Sequence, residues 1–155
     1  MAKSLRIANR RALLRSLLSS DFEAFAEKAW MWISGGEPVA WNWHIEAIMH
    51  DLALVTNGKC RRLLVTMPPR NGKSKLISII FVAWCLGQDP RKSFVCVSYS
   101  GDLAGDFARD CLSIMQSDWY RELFPRTVIS SSRPPPTTSR LLRAADGWRR
   151  RFPAR

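Results

Sequence analysis

The chain has 155 residues, enough for one domain or a piece of one. Apolar residues make up 46% and charged residues 24%, which excludes a fully disordered or collagen-like chain. The formal net charge is +11, unevenly spread: residues 126–155 hold 8 Arg, no Lys and one acid, against 16 Lys+Arg and 12 Asp+Glu in residues 1–125. A basic surplus points to a polyanionic partner, and here it rests mainly on a short tail.

Residues 4–19 read as a basic amphipathic helix, with Leu5, Ala8, Ala12 and Leu13 at helical spacing. Either it packs on a core as a surface helix or it serves as a DNA-binding arm. Ser20-Asp21 reads as an N-cap, with Glu23 in the first turn, for a second helix over about 21–33 that Gly35-Gly36-Glu37-Pro38 ends. Trp30, Trp32, Trp41 and Trp43 then cluster, either as core packing or as an aromatic wall for a flat ligand such as a base. His44 to Asn57 is a third predicted helix, with Ile45, Ile48, Met49, Leu52 and Val55 on one face and Gly58 at its C′ position.

Leu63-Leu64-Val65-Thr66-Met67, ended by Pro68-Pro69, reads as a buried strand. Lys73 to about Leu86 reads as a buried helix, and Phe94 to Tyr99 as a second buried strand. Asp102 to Met115 follows as an amphipathic helix with Asp102 as N-cap, Leu103, Phe107, Cys111 and Ile114 inward, and Asp106 and Asp110 on a solvated face. Trp119 to Phe124 adds a helical turn. The order strand, loop, helix, strand, helix predicts an α/β fold with a parallel sheet. After Pro125, the Ser- and Pro-rich stretch and the Arg-rich residues beyond it read as irregular.

Cys60, Cys85, Cys96 and Cys111 have no CxxC spacing and only two histidines to assist them, so a zinc site is not expected. Free thiols at Cys85 and Cys96, inside apolar runs, suit a reducing compartment. The longest apolar run, Leu76 to Leu86, is 11 residues, too short to span a bilayer. Arg10, Arg11 and Arg15 stand where a signal peptide needs an apolar core. A cytoplasmic protein with no membrane partner is expected.

The segment Met67-Pro68-Pro69-Arg70-Asn71-Gly72-Lys73-Ser74 lies between the first predicted strand and a helix and ends as the phosphate-binding pattern GxxxxGK[ST] ends. Gly72 can take a positive φ and lets backbone approach a phosphate. Amides at the helix start favour anions. The Lys73 ammonium can reach the β- and γ-phosphates of ATP, and the Ser74 hydroxyl can ligate Mg²⁺. Met67 replaces the first glycine, and the two prolines donate no N–H, so the cradle falls to the amides of Arg70 through Ser74. Arg70 either stabilises charge on the γ-phosphate or is a solvated loop arginine.

Trp43-His44, the run Arg62 through Ser74, Ala83-Trp84, Gly87-Gln88-Asp89-Pro90, Ser98-Tyr99-Ser100 and Arg121-Glu122-Leu123-Phe124-Pro125 together resemble the start of the ATPase domain of tailed-phage terminase large subunits. The resemblance spans roughly residues 40–125. It implies a partial P-loop NTPase of the RecA/ASCE type over 41–125, following an N-terminal helical region over 1–40 and preceding an irregular Arg/Pro-rich tail over 126–155. It further implies ATP and Mg²⁺ as cofactors, and double-stranded DNA, a portal protein and a small terminase subunit as partners. Lys73 and Arg70 would act in catalysis. Arg70, Asn71, Gly72, Lys73 and Ser74 would hold the triphosphate, Ser74 the metal, and the region of Trp43 and His44 the adenine.

A working ATPase of this kind also needs an apolar strand ending in Asp-Glu. Phe94 to Ser98 ends instead in Ser-Tyr-Ser-Gly, and no other apolar run ends in paired acids. The family's acidic strand and nuclease carboxylates would fall after residue 155, so hydrolysis is not expected. The Arg-rich tail reads either as a frameshifted end of a prophage relic or as a basic extension that binds DNA. The competing function is a non-enzymatic nucleic-acid-binding protein using the basic helix and the tail.

Overall fold

The computed structural model describes residues 12–98 and 100–129. Expectations placed on residues 1–11 and 130–155, including most of the basic tail, lie outside these. Residues 12–20 are helical (α1). Then come α2 (Phe22–Ile33), α3 (Trp43–Thr56), a π-helical segment (Lys75–Ile80) that runs directly into α4 (Phe81–Gln88), α5 (Gly101–Gln116) and α6 (Asp118–Leu123).

Local chemistry explains most of these boundaries. The Asp21 carboxylate accepts from the Glu23 amide and starts α2. Asn42 caps α3 through its side chain, and Gly58 follows that helix at φ +72°. Ser100, not Asp102, occupies the N-cap position of α5, leaving Asp102 in its first turn. Ser117 ends α5 and caps α6, accepting from the Tyr120 amide at 3.4 Å.

The core gathers around the rod formed by the π segment and α4. Ile79 through Cys85 are all buried, as a helix apolar on every side requires. The Phe81 amide donates to the Leu76 carbonyl, five residues back, and so widens the rod at this point. α2 and α5 both pack on the π segment and on α4, and α3 packs on α2. Phe25 of α2 centres an aromatic group, with ring centroids 5.6 Å from Trp119, 6.2 Å from Tyr120 and 5.9 Å from Phe124. Such tilted and edge-on contacts add to the apolar area that each ring buries. An exposed ion pair, Arg15 to Glu122 at 2.7 Å, ties α1 to α6.

The parallel α/β sheet of a P-loop NTPase is not present: the described residues form helices, with no strand and no sheet among them. The two predicted strands carry no regular secondary structure, although their side chains alternate in burial. Leu63, Val65 and Met67 lean on the core while Leu64 is 90% exposed; Phe94 and Cys96 lean inward while Val95 and Val97 are 67% and 69% exposed. A strand, however, is defined by hydrogen bonds to a neighbour, and among the described residues no backbone hydrogen bond joins the two segments. Both lie against helices instead.

All four cysteines are free, with Cys85 and Cys111 buried and Cys60 and Cys96 partly so. Among the described residues no helix is long and apolar enough to cross a membrane.

Candidate functional site

The loop between the first predicted strand and the rod is folded on itself. Arg70 and Gly72 both adopt left-handed backbone, at φ 68° and 73°. For Gly72 this is inexpensive; for an arginine it costs on the order of 1–2 kcal/mol. Two side chains hold the turn: the Asn71 amide donates to the Pro68 carbonyl at 3.3 Å, and the Lys73 ammonium donates to the Met67 carbonyl at 3.1 Å. Met67, standing where the phosphate-binding pattern has its first glycine, therefore supplies the acceptor that Lys73 uses.

The helical rod begins at Lys73, and the Leu76 amide donates back to the Gly72 carbonyl at 3.0 Å. The amides of Lys73, Ser74 and Lys75 lie in the first turn, where no carbonyl one turn earlier is in place to accept. They carry the positive end of the helix dipole. Ser74 makes no side-chain capping bond, so its hydroxyl remains available.

These residues line a cleft of about 640 Å³. Its lining includes Arg70, Asn71, Lys73 and Ser74 from the loop, and Trp30, Val97, Leu103 and Phe107 from other parts of the chain. Trp30 packs against the loop so closely that a Cβ on Gly72 would stand 2.5 Å from its Cη2. The Lys75 ammonium lies 5.2 Å from the Trp30 ring centroid and donates to Ser34 Oγ at 3.3 Å. Asp110 is half-buried rather than on a solvated face. Burial raises its carboxyl above the ordinary range, nearby Lys75 pulls it back, and Asp106 adds to the rise.

The structure brings Arg70, Asn71, Gly72, Lys73 and Ser74 to one cleft. It does not bring Trp43 and His44 there. Those two open α3, their rings edge-on at 6.0 Å, with Trp43 75% exposed. The four tryptophans form no common wall either. Trp32 donates to Ser113 Oγ at 3.1 Å, and Trp41 and Trp43 are exposed, leaving Trp30 alone on the cleft. Trp30 follows the buried Ala26 by one helical turn, a spacing visible in the sequence. Lys75, Leu103 and Phe107 carried no such signal of belonging to this site.

Among the described residues no carboxylate lines the cleft; the side-chain oxygens there belong to Ser74, Ser78, Ser98 and Asn71. Among the described residues no three His, Cys, Asp or Glu gather as a metal-binding group. Mg²⁺ is ordinarily held by carboxylates together with substrate phosphates. The residues here do not form a Mg²⁺ site of their own, and the Ser74 hydroxyl is the single ligand expected of the motif that is present.

No protein-family model, no curated protein and no solved structure matches this chain.

Proposed function

We propose that the cleft binds the phosphates of a nucleoside triphosphate, and that the chain carries the nucleotide-holding part of a terminase large subunit, the ATP-driven motor that packages phage DNA. One observation carries the phosphate reading: three cationic side chains, Arg70, Lys73 and Lys75, converge on a cleft where a left-handed Gly72 opens into a helix start. The Lys73 ammonium is held by a neutral carbonyl. A phosphate oxygen offers the ammonium an anionic partner, and the attraction of opposite charges exceeds that to a neutral carbonyl. This chemistry needs the loop and the helix start; it does not need a parallel sheet.

Among the described residues no carboxylate lines the cleft, and in the sequence no apolar run ends in the paired acids that would activate a water and complete a metal's coordination shell. The expected activity is therefore nucleotide binding without turnover, and Lys73 and Arg70 act as ligands of the triphosphate. The packaging role, the double-stranded DNA, portal and small-subunit partners and a cytoplasmic setting in the host rest on the terminase resemblance.

Calorimetric titration of ATP into the wild type and into Lys73→Ala tests the reading. Binding is expected for the wild type, with at least a tenfold loss in the variant. Equal affinities would remove the role given to this loop.

A further inference from the structure

We infer that the aromatic lining of the same cleft, Trp30 and Phe107, receives the base of the nucleotide, and that Trp43 and His44 do not. The inference rests on the phosphate reading and extends it to the other end of the ligand. The cleft's lining is of two chemical kinds: cations and amides from the loop, and the aromatic and aliphatic side chains of Trp30, Leu103 and Phe107. A cavity of about 640 Å³ has the capacity of sites for whole organic ligands rather than for an isolated phosphate group. Its occupant should carry a polyanion at one end and a flat apolar ring at the other.

Trp30 suits the ring. The outer edge of its six-membered ring abuts Gly72, which has no Cβ to keep it away, and the Lys75 ammonium lies 5.2 Å from the ring centroid. The positive charge therefore reaches the aromatic wall, so that the ring and phosphate ends of one ligand are served without a break. Trp43 and His44 pair with each other on exposed surface at the start of α3 and do not line the cleft.

The test compares ATP with inorganic tripolyphosphate, which has the charges and no base, by calorimetry on the full chain. The variants are Lys73→Ala, Trp30→Ala, Phe107→Ala and Trp43→Ala. The wild type is expected to bind ATP more tightly than tripolyphosphate. Phe107→Ala, which leaves the loop's own contacts intact, should lower ATP affinity about tenfold, the scale of a lost base–aromatic contact, and change tripolyphosphate by less than twofold. Trp30→Ala should lower ATP affinity at least as much; because Trp30 also supports Gly72, it can lower tripolyphosphate binding as well. Trp43→Ala should change neither ligand, and Lys73→Ala should weaken both.

If the wild type does not bind tripolyphosphate, the phosphate reading falls and this inference with it. If tripolyphosphate binds as tightly as ATP, the loop stands and the base subsite is overturned. The subsite is also overturned if Trp43→Ala selectively loses ATP, or if Phe107→Ala affects both ligands equally or neither.

Discussion

The indole of Trp30 and the backbone of Gly72 are in such close apposition that any side chain at position 72 would meet the ring, its Cβ 2.5 Å from Cη2 and 3.1 Å from Cζ3. Gly72 is thus required twice, by its φ of 73° and by its neighbour. Gly72→Ala is expected to destabilise the fold by about 1–3 kcal/mol and to lower phosphate affinity at least tenfold. Adding Trp30→Ala relieves the collision and leaves the backbone strain, so the double variant should regain part of the stability in urea denaturation. No regain would show that the ring yields freely.

Gly87 lies inside α4, where alanine would ordinarily add about 1 kcal/mol of helix propensity. Here a Cβ would sit 2.5–2.7 Å from three ring atoms of Phe124, which is buried among Phe25 and Tyr120. Overpacking at such a site costs about 1–3 kcal/mol and outweighs the propensity. Gly87→Ala should lower the thermal midpoint, and Gly87→Ala with Phe124→Leu should recover it.

Tyr120 is fully buried, and its hydroxyl donates to the Ala83 carbonyl inside α4 at 2.7 Å. A helical carbonyl keeps its backbone partner when the hydroxyl is removed. Tyr120→Phe should therefore cost about 1 kcal/mol, the net worth of one hydrogen bond, rather than the larger penalty of an orphaned acceptor. A loss well above this in urea denaturation would place Tyr120 in a wider network.

Stability should fall in alkali. Burial pushes the Cys111 thiol from 9.0 up to about 12, with Cys96 and Asp110 adding to the rise, and burial likewise raises Tyr120 above its ordinary 10.0. An unfolded chain releases these protons at the ordinary values while the folded chain retains them. The Cys111 contribution is full below about pH 9 and declines toward pH 12, by about 1.4 kcal/mol per pH unit, and the Tyr120 contribution begins to decline only above its ordinary 10.0. Urea midpoints at pH 7 and pH 10.5 measure the slope, and Cys111→Ala should remove its share.

What the sequence made legible was local. Ile45, Ile48, Met49 and Leu52 recur at helical spacing and are the buried face of α3; Asp21 announced the start of α2. The expected sheet failed because strand pairing is a relation between distant segments. Leu63 to Met67 has strand-forming residues and alternating burial, yet those properties do not state what it will bond to. The loop was half legible. Gly72, Lys73 and Ser74 are a pattern with a physical reason, whereas the left-handed Arg70 and the approach of Trp30 arise from contacts that no spacing rule encodes. His44 enters by resemblance and Trp43 by resemblance and by its place in the tryptophan cluster, and neither lines the cleft.

Leu64, Val95 and Val97 are each largely exposed, and bare aliphatic side chains of this kind favour contact between copies of the molecule. In dilute salt the charge of +11 holds them apart. At 0.1 M salt that repulsion reaches only about 10 Å, and it shortens further as salt rises, while attraction between bare aliphatic surfaces does not weaken. Turbidity should therefore grow with ionic strength, and Val95→Thr with Val97→Thr should delay it.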